Sequence, residues 1–193
     1  MKELIIREAT PGDASAVANL VNAAYRPQPG KGGWTHESNI VSGDRTSTAQ
    51  VINALRTSTI LIGSCDEQIV ACVQVEPDDL DAYIGMLAIE PGVQASGLGK
   101  AMLRHAEQYA ESTLGVSQFK LVVVRARTEL VQFYCRRGYN ETGEILSYPV
   151  NSSVGIPISE NLELIVLRKP SNSSLNSDPQ QDLAASRHVL QSC

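Results

Sequence analysis

The group of residues in this 193-residue chain best placed to do chemistry is Gln94, Gly97, Gly99 and Lys100, in the run PGVQASGLGKAMLRHAEQYA. Two glycines and a lysine open a segment whose later apolar residues recur at helical spacing, directly after the apolar run AYIGMLAIEP. Backbone N–H groups at a helix start have no intrahelical partners, so such a start favours an anion. Glycine there lets the backbone come close to a bulky group. Spacing separates the candidate anions. A nucleotide P-loop needs glycine where this chain has Gln94 and Ser or Thr where it has Ala101. A dinucleotide fingerprint needs a third glycine where Met102 stands. What is left is Gln94-x-x-Gly97-x-Gly99 between a strand and a helix. It reads either as a pyrophosphate cradle or as a plain strand-to-helix turn.

The elements that must position this loop can be read along the chain. Residues 3–8 form a β-branched run, and the stretch after it has Thr10 as a helix cap, Pro11 at the first helical position and Asp13 in the first turn. Residues 26–39 hold prolines and glycines and join that helix to a second at 47–58; an irregular segment of this length is usually functional or mobile. A hairpin follows at 59–76, turning at Asp66 and Glu67, and then an apolar strand at 82–91 that reads as buried on both faces. After the glycine loop and its helix come a strand at 119–127, a short helix at 128–139 ended by Gly138, and a last strand pair. From Pro170 the chain is rich in Ser, Asn, Gln and Asp and reads as a disordered tail. The expected division is one domain over 1–169 and a tail over 170–193.

Bulk composition narrows the classes. With 42% hydrophobic and 19% charged residues the chain should fold. A net charge of −5 lacks the positive field that phosphate-backbone binding requires, so nucleic acid is not expected as a partner. Cys65, Cys72, Cys135 and Cys193 show no zinc-like spacing and no disulfide framework, and reduced thiols suit a cytoplasmic location. No metal site is expected. No apolar run reaches the roughly 18 residues of a membrane span, and MKELIIREATPGD turns polar too early for a secretory leader.

QASGLG, with the strand before it and the helix after it, resembles the acetyl coenzyme A loop of the GNAT superfamily of N-acetyltransferases, whose pattern is Gln/Arg-x-x-Gly-x-Gly/Ala after the fourth strand. A second feature is similar to the family's: TELVQFYCRRGYNETGE, with Tyr134 followed closely by Gly138-Tyr139. The resemblance covers about residues 4–169. It implies an α/β fold, α+β in some schemes, with a mixed and mostly antiparallel sheet of about seven strands flanked by about four helices.

The resemblance also implies a function: transfer of an acetyl group from acetyl coenzyme A to the amine of a small-molecule acceptor by direct attack. Leu87, Ala88 and Ile89 would pair with the pantetheine arm. Gln94, Ala95, Ser96, Gly97, Leu98, Gly99 and Lys100 would cradle the pyrophosphate. Tyr134 would donate a proton to the departing thiolate, the role a phenol near the sulfur can fill. Trp34, Arg45, Tyr83 and Tyr148 are expected around the acceptor, and a monomer or homodimer is expected.

Two departures from the family pattern stand out. Relatives often carry asparagine where this chain has Arg127, which inherits the cofactor-arm position. Many relatives also carry a glutamate early in the fourth strand as general base, whereas DAYIGML offers Asp81 and Tyr83. Glu37 is the alternative base, although THES around it is equally a helix capping box with Thr35 as cap. The missing strand-four carboxylate leaves a second reading open, a coenzyme-binding sensor that does not catalyse.

Overall fold

A computed structural model describes residues 4–149 and 153–172. The chain runs β1 (Ile5–Glu8), α1 (Ala14–Tyr25), β2 (Val41–Ser42), α2 (Thr48–Ala54), β3 (Thr59–Cys65), β4 (Gln68–Asp78), β5 (Asp81–Ile89), α3 (Leu98–Tyr109), β6 (Gln118–Val124), α4 (Thr128–Cys135), β7 (Asn140–Ser147), β8 (Ile156–Pro157) and β9 (Glu163–Pro170). The family's fourth and fifth strands are therefore β5 and β6. At the start of α1 the Asp13 carboxylate accepts from the Thr10 backbone amide at 2.8 Å and from Arg7, so the expected cap is present with an added ion pair. Arg7 holds the Asp13 carboxyl well below the usual carboxylate range.

Seven strands form one sheet in the order β1-β3-β4-β5-β6-β9-β7. Every neighbouring pair is antiparallel except β5 with β6. That parallel pairing spans only Asp81↔Gln118, Ala82↔Phe119 and Tyr83↔Lys120. Beyond it the strands part, while β5 stays on β4 as far as Ala71↔Ile89 and β6 stays on β9 as far as Val124↔Leu164. A bulge marks the same stretch: the β4 register shifts between Cys72 and Gln74, and Met86 opposite it takes φ +50°.

Helices cover both faces, which is why the central strands are apolar on both sides. Val17, Leu20 and Val21 of α1 and Val51 of α2 pack on Ile60, Ile62, Cys72, Met86 and Ala88. Met102, Leu103 and Ala106 of α3, with Tyr134 and Tyr139, pack on Leu61, Val73, Val75, Ile84, Phe119 and Leu121 from the other side. β2 and β8 pair apart from the main sheet and tie the segment after α1 to the segment after β7.

Two expected boundaries move. The strand expected to reach residue 127 stops at Val124, because Arg127 turns to become the N-cap of α4. Pro170 and Ser171, expected in the tail, belong to the fold: Pro170 pairs with Gln118, and Ser171 is buried with its amide donating to the Ser117 carbonyl at 2.8 Å. A proline lacks the ladder donor but is tolerated at a strand terminus. The rest of that expected tail, from residue 173 on, lies outside the described residues.

Cys72 lies buried under α1, its thiol donating to the Met86 carbonyl at 3.6 Å. Burial pushes the thiol from 9.0 up to about 12. The folded chain thus keeps a proton that the unfolded chain releases, so the associated stability is complete below about pH 9 and is lost as pH rises toward 12. Cys72→Ala should flatten the fall of the urea midpoint from about pH 9 upward, a slope of at most about 1.4 kcal/mol per pH unit. An unchanged slope would mean that the thiol ionises without unfolding.

Candidate active site

At the end of β5 the chain makes a short turn, Pro91–Val93, and enters the glycine loop. Ala95 takes φ +61° and Gly97, the N-cap of α3, takes φ +92°. Only glycine adopts the Gly97 conformation without strain. The Ala101 amide is the first to bond back into the helix, to the Gly97 carbonyl at 3.1 Å, so the amides of Leu98, Gly99 and Lys100 precede the intrahelical ladder. The loop walls a cavity of about 330 Å³ together with Ala88, Ile89, Phe133, Tyr134, Arg136 and Arg137. Ser96 and Leu98, grouped in sequence with the cradle, do not line it. A side chain at Gly99 would make only ordinary contact with Phe133, at 3.6 Å.

Gln94 turns inward as a latch. Its amide nitrogen donates to the Ile89 carbonyl at 3.1 Å, and its oxygen accepts from the Thr35 backbone amide at 3.3 Å. Gly33 lies so close that an added Cβ would stand 2.3 Å from the Gln94 oxygen. The segment after α1 is thereby fastened to the glycine loop.

A buried ion cluster fastens the same segment elsewhere. Glu37 accepts from Arg127 at 2.7 Å with one carboxylate oxygen and from Arg26 with the other. The three side chains are 6–8% exposed. Arg127 also donates to the Thr35 hydroxyl, which in turn donates to Glu129, both at 2.7 Å. No helix begins at THES: Thr35 and Glu37 serve this cluster instead of a capping box. Glu37 is accordingly an anchored carboxylate between two guanidinium groups, and Arg127 engages Glu37 and Thr35 through its terminal nitrogens, its Nε lying 3.7 Å from Glu129.

Where β5 and β6 part lies a second cavity, about 490 Å³, lined by Arg45, Glu76, Tyr83 and Tyr148 among others. Tyr25, Leu87, Arg127, Leu130 and Tyr134 line both cavities and form the wall between them. Three of the four residues expected around the acceptor, Arg45, Tyr83 and Tyr148, line the second cavity. Trp34 does not. It lines the glycine-loop cavity, its ring 6.1 Å from that of Phe133 on α4, because the latch at Thr35 turns this part of the segment toward the loop. Asp81 is committed to Arg168 and is absent from the second cavity's lining.

Burial sets the phenols at the shared wall. Tyr134 is 6% exposed and packs edge-on against Phe133 and Tyr139; burial chiefly raises its pKa well above the ordinary phenol range. Tyr25 is pushed up to about 12, burial outweighing the opposite pull of Arg45, and its hydroxyl donates to the Leu87 carbonyl at 3.2 Å. Both phenols are protonated at neutral pH.

Sequence reading missed Tyr25, Arg26 and Glu76. Tyr25 and Arg26 sit where Pro27 ends α1, a position that spacing shows only as a helix end. Glu76 had a legible signal. It is the cross-strand partner of Tyr83, so it brings from β4 the carboxylate that DAYIGML lacks.

The sequence model of the acetyltransferase (GNAT) family matches residues 19–139. No curated protein matches the chain by sequence. Among solved structures, PaiA N-acetyltransferase from Thermoplasma acidophilum in complex with coenzyme A is similar with a TM-score of 0.67 and 15% identity, covering 87% of this chain and 99% of that one. A spermidine N-acetyltransferase variant from Vibrio cholerae gives 0.65 and 17%, covering 90% and 96%. A GNAT family acetyltransferase from Elizabethkingia anophelis with acetyl-CoA bound gives 0.62 and 16%, covering 86% and 97%. At these identities the likeness is one of fold.

The ion cluster yields a stability prediction. Glu37→Ala leaves two guanidinium groups buried without their carboxylate, and breaking a buried pair in this way costs about 3–5 kcal/mol. Urea denaturation should show a loss of that order. A loss below about 1 kcal/mol would mean that water or Glu129 replaces the carboxylate.

Proposed function

The chain belongs to the acetyltransferase (GNAT) family, and from that premise we propose that it moves an acetyl group from acetyl coenzyme A to the amine of a small molecule. The observation that carries this reading is the pair of cavities meeting at one wall, with a glycine loop and helix start in one and charged and phenolic side chains in the other. A donor and an acceptor held in the two would meet at Tyr134.

The glycine-loop cavity fits the coenzyme. The edge of β5 that faces away from β4 has no strand partner after Tyr83, and unpaired backbone groups suit an extended amide-bearing chain. The amides of Leu98, Gly99 and Lys100, with Lys100, Arg136 and Arg137 nearby, suit phosphate. Ala88 is the ladder partner of Cys72 on β4, so of the three residues expected to pair with the arm Leu87 and Ile89 face the open edge; their carbonyls are engaged by Tyr25 and Gln94, which leaves their amides for the arm. The bound coenzyme would supply an acetyl group activated as a thioester.

The chain's own residues do the rest. Tyr134, protonated because it is buried, holds a proton at the wall for the departing sulfur. Glu76 lines the acceptor cavity and is the group offered to the proton leaving the amine. Glu37 and Arg127 act by positioning the segment that closes both cavities. A space of about 490 Å³ suits a small molecule better than a protein tail. Three free thiols, at Cys65, Cys72 and Cys135, support a cytoplasmic setting, and among the described residues no helix is long and apolar enough to cross a membrane.

Two measurements test the reading. Tyr134→Phe should lower kcat by about 10- to 100-fold, the lower part of the range for general-acid help. Since burial keeps the phenol protonated well past neutrality, the loss should be the same at pH 7 and pH 9. Wild-type turnover in a variant limited by chemistry would leave Tyr134 a packing residue. Gly97→Val forces a β-branched residue to φ +92° and should weaken acetyl coenzyme A binding by at least about tenfold in calorimetry. Unchanged affinity would place the cradle elsewhere.

A further inference from the structure

Resting on that reading, the acceptor cavity itself narrows the class of amine. Among the described residues Arg45 has no carboxylate within ion-pair distance, whereas Arg26 and Arg127 share Glu37, and Lys120 pairs with Asp78 at 2.9 Å. The position of Arg45 is fixed from behind: its backbone amide donates to the Asn22 side-chain oxygen at 2.8 Å, and Thr46 bonds the same side chain in both directions. Its guanidinium lies 5.5 Å from the centre of the Tyr25 ring, and Tyr25 belongs to the wall shared by the two cavities. Tyr83 and Tyr148 line the same cavity as Arg45.

We propose that Arg45 is a specificity residue that receives a carboxylate carried by the acceptor, so the substrates are amino acids or close relatives in which amine and acid lie a few bonds apart. A planar guanidinium matches a carboxylate with two parallel hydrogen bonds. The short separation follows from the place of Arg45 beside the shared wall. Arg45 stands against Tyr25, a residue of that wall, so an acid group on Arg45 lies at the same end of the cavity as an amine at the wall. Of the three cations lining the cavity, Arg127 pairs with Glu37 and Lys120 with Asp78, so among the described residues Arg45 is the one whose charge an acceptor carboxylate would balance.

The test is thiol release from acetyl coenzyme A with the twenty amino acids, their amides, simple alkylamines and spermidine, paired with calorimetry of the same compounds on the coenzyme-loaded protein. At least one amino acid should be preferred over its amide by about 10- to 100-fold in kcat/KM, the worth of one charge-assisted pair. Arg45→Gln should collapse that ratio to near one, mainly through the acceptor KM, while Arg45→Lys recovers part of it. Circular dichroism and acetyl coenzyme A affinity report whether the variants are folded. Turnover of spermidine or neutral amines, with amino acids neither bound nor acetylated, would overturn this inference and leave the acetyltransferase reading intact. Amino acids that bind in an Arg45-dependent way without thiol release from any amine would support the site and overturn the transfer reaction. Neither binding nor turnover would overturn both.

Discussion

The parting of β5 and β6 after three parallel pairs is the constraint on which the rest of the molecule depends. Each strand keeps its outer antiparallel neighbour, so the sheet stays whole on either side while its middle opens. An open edge inside a sheet is costly, because unpaired amides and carbonyls must find other partners. Some find them within the chain: Tyr25 reaches the Leu87 carbonyl and Gln94 reaches the Ile89 carbonyl. Met86, at φ +50° beside the bulge, adds backbone strain of about 1–3 kcal/mol that the packed core around it must offset. Both cavities border the opening, and Tyr134 stands at their junction because α4 packs against the parted strands.

An open sheet needs a cover whose position does not drift, and in the segment after α1 no apolar side chain ahead of Val41, which packs on Val124 and Leu162, is buried to supply it. The ion cluster does so with charge. Glu37 is the carboxylate that both guanidinium groups share, Glu129 reaching Arg127 alone at 3.7 Å, so Glu37 cannot be traded for a neutral residue without leaving the Arg26 charge unbalanced. The cluster also links elements far apart in sequence: Arg26 at the end of α1, Glu37 in the segment, Arg127 and Glu129 at the start of α4. Stability and site geometry are here one set of contacts.

Much of this was legible in the sequence, and the part that was not has a common cause. The glycine spacing, Tyr134 with Gly138-Tyr139, and the alternation of strands and helices are local patterns, and they carried the sheet of seven strands and the place of the loop. The family resemblance put Arg45, Tyr83 and Tyr148 around the acceptor, and the three line one cavity. What spacing misjudged was partnership across the fold. Glu37 looks like a free carboxylate or a cap until Arg26 and Arg127 are brought to it, the latter from 90 positions away. Trp34 and Glu37 lie close in sequence yet serve different cavities, because a chain with extended residues turns successive side chains to opposite sides. Glu76 supplies a carboxylate that was sought on the wrong strand, since cross-strand register is set by tertiary pairing.

That same segment explains why two cavities of different chemistry can work as one site. Its Trp34 and Thr35 border the glycine loop, while Glu37 and Arg45 border the second cavity. The Thr35 amide donates to Gln94 beside the glycine loop, and two residues on Glu37 is held by Arg26 and Arg127 beside the second cavity. Rigidity between the two is therefore a matter of the latch at Thr35 and the charge at Glu37, acting on the same strip of chain. Tyr134 and Tyr25 complete the arrangement from the helices behind it, and their burial keeps the two phenols of the wall protonated and uncharged. The charged groups that distinguish one ligand from another, Lys100 with Arg136 and Arg137 on one side and Arg45 with Glu76 on the other, lie around an apolar junction whose polar groups are mostly spoken for.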